Sequence, residues 1–243
     1  MKTKKVKANA RGETRSEVLR AAGEVFAEKG YRDATIAEIC RRAGANIAAV
    51  NYYFGSKEGL YAEAWRAAFE AGLAKHPPDG GVAPGAAPED RLRARMTALL
   101  RRVLDPDTRE FDIMRREMSD PTGLLQEAQR NLIGSIRKGT FAILREMLGP
   151  KASLGQVVLA TMTVMSPVLH AVHRIRHARA LRDADLDGDD LFPIRDIQPL
   201  IDHTMRFCLA GIRRMREGIE AGDWPDMELP ADFVAGHKEL LGA

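Results

Sequence analysis

Apolar positions along this chain recur every three to four residues, and no stretch alternates as a half-buried strand does, so the expected class is all-α. Thr14 and Glu17 form a capping box that predicts a first helix to about Lys29. Val18, Ala22, Val25 and Phe26 fall on its inner side and Gly30 stops it. Thr35 with Glu38 opens a second helix whose buried stripe is Ile36, Ile39 and Cys40, and Gly44 supplies a tight turn after Ala43. A third short helix runs from about Ile47 to Phe54 with Val50 and Phe54 inward. Ser56 caps a fourth that reaches about Lys75, with Leu60, Ala64, Ala67, Ala68 and Ala71 on one side. The Pro- and Gly-rich run from His76 to Pro88 cannot continue a helix.

Beyond it the helical rhythm resumes at about 89–104 and 107–119. Asp120-Pro121 reads as the N-cap and first-turn proline of the next helix, which carries Leu125, Ala128, Leu132, Ile136, Thr140, Ile143 and Met147 inward until Gly149-Pro150. Two long helices follow, at about 154–179 and 197–221. The second keeps Leu200, Ile201, Thr204, Met205, Cys208, Leu209, Ile212, Met215 and Ile219 in a near-heptad rhythm. Val157 to Leu169 is apolar nearly all round, as in a helix buried on both sides, either by its own core and a partner or at the centre of one subunit. The expected organisation is a flexible basic arm (1–13), a helix-turn-helix domain (14–75), a linker (76–88), a larger helical ligand-binding and dimerisation domain (89–222) and a tail (223–243).

Composition narrows this picture. A chain of 243 residues that is 45% apolar and 29% charged is a soluble globular protein of one or two domains. Its net charge of +3 hides an asymmetry: residues 1–75 carry 14 Lys/Arg against 9 Asp/Glu, and the remainder 23 against 25. Phosphate binding would need the excess where it lies. Lys2, Lys4, Lys5, Lys7 and Arg11 belong to an arm expected to be disordered when free. Two readings fit it, a strand of charge along DNA or a solubilising tail. Cys40 and Cys208 make neither a disulfide framework nor a zinc motif. Without an apolar leader or a run of roughly 18 apolar residues, a cytoplasmic protein is expected. No nucleophile elbow, Gly-rich phosphate loop or zinc spacing argues for an enzyme, and no cofactor is expected.

Two short helices joined by a Gly-containing turn make a helix-turn-helix, the unit that places its second helix in a DNA major groove. The run from Arg15 to about Ala71 resembles the DNA-binding domain of the TetR family of bacterial transcriptional regulators. The resemblance rests on Val25-Phe-Ala-Glu-Lys-Gly-Tyr31, on Ala34-Thr-Ile-Ala-Glu-Ile39 and on Val50-Asn-Tyr-Tyr-Phe-Gly-Ser-Lys-Glu-Gly-Leu60. It implies phosphate contacts at Thr35, Tyr52, Tyr53 and Lys57. Helix N-terminal N–H groups, tyrosine hydroxyls and a lysine are suited to that task. It also implies a two-fold dimer and a small-molecule effector bound by the C-terminal domain.

On the third helix, Ile47, Ala48 and Asn51 share the outer face and Ala49 borders it. Asn51 can pair bidentately with an adenine edge, and the apolar three suit thymine methyls or close approach. Local hydrogen bonding of Asn51 is the blander reading. Phe111, Met114, Met118, Phe141, Met147, Met162 and Met165 suit an adaptable apolar pocket, and core filling explains the same residues. The candidate ligand set is Phe111, Met114, Met118, Phe141, Met162 and Met165. His170, His173 and His177 stand at helical spacing but among arginines, so a solvated basic face is the expectation and no metal is assigned. Asp183 to Asp190 matches half a calcium loop but lacks its closing Glu, with Ile194 in that place, and reads as an acidic loop. The leading expectation is a ligand-responsive homodimeric repressor that pairs through its last two long helices. The alternative is a helical protein-interaction module.

Overall fold

The computed structural model describes residues 2–183 and 196–236, with side chains described for 12–170, 174 and 196–235. Every element among the described residues is helical: α1 (Lys2–Asp33), α2 (Ile36–Ala43), α3 (Ile47–Phe54), α4 (Lys57–Lys75), α5 (Pro88–Leu104), α6 (Glu110–Ser119), α7 (Gln126–Leu148), α8 (Leu154–Asp183), α9 (Ile197–Ala221) and α10 (Ala231–Gly236). The architecture is an N-terminal helix-turn-helix domain with a helical C-terminal domain.

The contacts divide the chain into two compact units: residues 1–75 with 105–132, and residues 76–104 with 133–243. In the first unit, Val18, Ala21, Ala22, Val25 and Phe26 of α1 meet Ile39 of α2, Val50 of α3 and Leu60 of α4 in a core closed to water. α6 packs on α1 and α4, so α4 has α6 to satisfy as well as α1 and α3. This explains why its buried stripe is Leu60, Tyr61, Ala64, Trp65, Phe69 and Gly72. Ala67 and Ala68, expected inward, are half-buried, and Ala71 is exposed; the aromatic residues took the inner side.

Two local expectations are corrected. The helix expected to open at Thr14 begins at Lys2, so the backbone of the basic arm is helical and Thr14 lies inside α1. Gly30 breaks that helix as expected, at φ 78° and ψ −178°. Asp120-Pro121 does not open α7, which starts at Gln126. The Glu117 carboxylate instead gathers the N–H groups of Thr122 and Gly123, each at 2.9 Å, and the Thr122 hydroxyl. Gly123 turns the chain there at φ 78°. A long-range acceptor therefore overrode a local cap signal.

In the second unit, Leu92, Met96, Leu100 and Val103 of α5 are buried with Leu144 and Leu148 of α7, Val157 and Val164 of α8, and Ile201 and Met205 of α9. Ser153 and Gln156 cap α8 reciprocally, side chain to backbone N–H, each at 3.0 Å. Asp196 caps α9, and Gly222 closes it in the left-handed conformation. The tail carries one short helix among its described residues, α10. Cys40 and Cys208 are buried free thiols, and burial pushes both pKa values up.

Candidate nucleic-acid interface

The geometry starts with caps. Thr35 sits in extended backbone and accepts the Glu38 N–H through Oγ1 at 3.2 Å, so α2 begins where the sequence places it. The other half of the expected box is taken up elsewhere. The Glu38 carboxylate receives Lys29 Nζ at 2.6 Å and Arg42 Nη2 at 2.8 Å, and Arg42 also donates to Glu28. Those bonds hold Glu28 and Glu38 below the usual carboxylate range and tie α1 to α2. Gly44 caps α2 at φ 61° and ψ 28°, the left-handed geometry that glycine adopts without strain.

Asn46 then caps α3. Its Oδ1 accepts the Ala49 N–H at 2.8 Å, a role not foreseen above although an Asn just before an apolar run is its signature. Val50 and Phe54 face the core, which turns the opposite side of α3 outward. Ile47, at 54% exposed, Ala48, Asn51 and Tyr52, at 74% exposed, form that outer side, with Ala49 half-buried beside them. These residues are therefore brought together as expected. Tyr53 is half-buried and meets the Tyr52 ring edge-on at 5.1 Å, so the two tyrosines divide into one exposed and one partly structural.

Lys57 has a fixed place. Its ammonium lies 4.5 Å above the centre of the Tyr31 ring and donates to the Arg32 carbonyl at 3.3 Å, three residues before Thr35 in the chain. Tyr31 in turn donates to Glu58 at 2.7 Å. Burial and that bond push the Tyr31 pKa up to about 12, while the Tyr31 and Ser56 hydroxyls hold Glu58 at about 2. Ser56 caps α4 by accepting the Gly59 N–H at 3.2 Å. Tyr31 is thus the residue around which the start of α4 is arranged, and only its position after Gly30 hinted at it.

From the α6 side, Tyr61 donates to Glu117 at 3.0 Å in a buried bond, and Arg116 donates to the carbonyls of Ala27 and Glu28 at the end of α1. Arg32 pairs with Asp120 at 2.7 Å. The first unit is therefore cross-tied at the C-terminal end of α6.

The candidate ligand residues are dispersed. In the first unit Phe111 and Met114 are half-buried, with Met114 Sδ accepting Gln129 Nε2 at 3.2 Å, and Met118 is 77% exposed. In the second, Phe141 is buried, Met165 half-buried and Met162 60% exposed. A cleft of about 440 Å³ in the second unit is lined by Pro88, Glu89, Glu146, Met147, Leu209, Ile212, Arg213 and Arg216, none of them in that set. No metal-holding group of side chains occurs among the described residues. The half calcium loop, Asp183 to Asp190, lies outside the described residues apart from the backbone of Asp183, and the side chains of His173 and His177 likewise lie outside them.

Residues 18–64 match the family model for bacterial regulatory proteins of the tetR family. Residues 88–212 match the model for the C-terminal domain of the HTH-type transcriptional dual regulator CecR. The chain is 32% identical over 116 residues to the HTH-type transcriptional regulator SrpR of Pseudomonas putida, covering 46% of this chain and 51% of that protein. It is equally similar over 116 residues to the HTH-type transcriptional regulator TtgW, also of Pseudomonas putida, covering 46% of this chain and 81% of that protein. The match thus spans about half the length of SrpR. A crystal structure of a transcriptional regulator from Rhodococcus sp. Rha1 superposes with a TM-score of 0.58 at 23% identity, covering 82% of this chain and 95% of that one. The fatty acid degradation regulator FadR from Bacillus halodurans superposes at 0.56 with 16% identity, covering 82% and 95%. These two likenesses concern the fold.

Proposed function

The chain belongs to the tetR family of bacterial regulatory proteins and is a transcriptional regulator of that type, and from that premise we propose that it is a cytoplasmic repressor binding a palindromic operator as a homodimer, released by a small-molecule effector. The observation that carries this reading is the outer side of α3. Ile47, Ala48, Asn51 and Tyr52 are exposed together on a short helix capped at both ends, with Thr35 exposed at the start of α2. Capped ends and a buried Val50 and Phe54 fix the helix, so the exposed side is presented rigidly, as groove recognition requires. Asn51 supplies the adenine contact, the apolar neighbours favour thymine, and Thr35, Tyr52, Tyr53 and Lys57 hold phosphates.

One such head reads few base pairs, and two-fold pairing doubles the reading. The homodimer reading is supported by Met162 and Leu169 of α8 and Phe207 of α9, large apolar side chains exposed on the two helices expected to pair. The effector acts by binding one conformer better than the other, so that the heads no longer fit adjacent grooves. The test is selection of genomic fragments by the purified protein at physiological salt, followed by sequencing. Enrichment of one palindromic site rich in A·T pairs is expected. Uniform salt-sensitive binding without enrichment refutes operator recognition and favours the protein-interaction alternative.

A further inference from the structure

Helix α5 carries a series of arginines within the second unit, and their partners differ in kind. Arg91 pairs with Glu146 and Arg93 with Asp202, each a carboxylate. Arg95 donates to neutral oxygens: Nε to Thr140 Oγ1 at 3.1 Å, and Nη2 to the Ile136 carbonyl at 2.5 Å. Among the described residues, Asp79 is the one acid that acts on it, and only through space. The guanidinium lies flat on α7, because Gly139 has no side chain. A Cβ there would stand 2.9 Å from both Nη1 and Nη2 and 3.0 Å from Cζ. Neighbouring positions on the two helices, Leu92, Met96, Ile143 and Leu144, are buried hydrocarbon.

A cation drawn partly out of water without a carboxylate beside it is costly, and burial lowers the Arg95 pKa accordingly. An apolar residue would join α5 to α7 at less cost. What the arginine adds is a donor held in one orientation: Nε and Nη2 are anchored to α7, and Nη1 is left with no acceptor among the described residues. A fixed, incompletely neutralised and half-buried guanidinium at the border of a buried apolar stripe is suited to a single anionic group on an apolar body.

We propose that Arg95 is the anion-recognising residue of an effector site in the second unit, and that the effector is an apolar molecule bearing one carboxylate. Thr140 and Gly139 position the guanidinium for it. The proposal rests on the ligand-responsive reading above and narrows the effector's class.

The test uses octanoate and 1-octanol, which share a chain length and differ in charge, titrated calorimetrically into the full-length protein. Octanoate is expected to saturate one site per chain and to bind about 30-fold more tightly than octanol, as a charge-assisted contact implies. R95M is expected to bring octanoate down to the affinity of octanol, and R95K to fall between. Circular dichroism verifies the fold of each variant. Thr140→Val, which keeps the charge and removes one anchor, should weaken octanoate severalfold even if R95M does not fold. Absence of octanoate binding, equal binding of both probes, or unchanged binding to folded R95M overturns the proposal. Operator binding followed in the same samples separates the two readings. Octanoate held through Arg95 without operator release keeps the anion site and removes ligand response; release by octanol with no octanoate binding does the reverse.

Discussion

At the scale of single residues, the interface depends on which polar groups are already engaged and which are not. Arg42 is committed to Glu28 and Glu38, and Lys57 to Tyr31 and Arg32, so these cations brace the fold before any DNA arrives. Asn51 is exposed on the outer side of α3. Asn51→Ala is therefore expected to relax preference at one base position of each half-site, a loss of about 1–3 kcal/mol of discrimination there. Selection from a randomised operator library measures this, and an unchanged base preference would refute it. The bracing groups give a separate prediction about acid. Glu58 is held at about 2 against an ordinary 4.5 by the hydroxyls of Tyr31 and Ser56, and Glu28 and Glu38 are lowered as well. Each carboxylate is more acidic folded than unfolded, so its contribution to stability is present in full above about pH 4.5. It is lost as pH falls from there toward 2. Thermal melting followed by circular dichroism should show this decline, and Glu58→Gln should make it shallower. A melting temperature independent of pH across that window would contradict the assignment.

At the scale of elements, helices with local punctuation were legible and helices placed by distant partners were not. Thr35, Gly44, Ser56 and Gly149 each act where the sequence puts them, because a cap or a left-handed turn is decided within four residues. The outward side of α3 follows from Val50 and Phe54 by the same local rule. The packing of α6 against α1 and α4 had no such signal. It depends on Tyr61 with Glu117 and on Arg32 with Asp120, pairs separated by 56 and 88 positions. That is also why the Asp120-Pro121 reading failed and why Ala71 is exposed. The candidate site divided along the same line: the candidate DNA-facing residues lie on α3, with Thr35 and Lys57 at the starts of α2 and α4, whereas the ligand candidates are scattered over α6, α7 and α8. Asn46 tests the local rule. Asn46→Ala removes the acceptor of the Ala49 N–H and is expected to destabilise the protein by about 1 kcal/mol. Because the cap touches no base in this reading, affinity should fall alike for specific and random DNA. A loss confined to one operator position would instead make Asn46 a base contact.

At the scale of the whole molecule, the proposed homodimer would use the apolar surface of α8 and α9. Met162, Leu169 and Phe207 are exposed in the single chain, while Val157, Val164 and Val168 of α8 and Ile201, Met205 and Cys208 of α9 are closed inside it. The near-continuous apolar run of α8 therefore has two sides, one used by its own unit and one left over. A monomer gains nothing by displaying a thioether and a phenyl ring at such exposure, whereas a second copy would bury them. Introducing a charge there separates the two uses of the helix. Met162→Asp combined with Phe207→Asp should leave helicity and melting of the isolated chain nearly unchanged, since both side chains already face water. Dimerisation should weaken by at least tenfold, because each association would bury four uncompensated carboxylates. Sedimentation equilibrium measures that constant directly, and operator affinity measured on the same variant should fall with it, while binding to a single half-site stays as before. A doubly substituted protein that remains dimeric and binds its operator normally would place the pairing surface elsewhere on the chain.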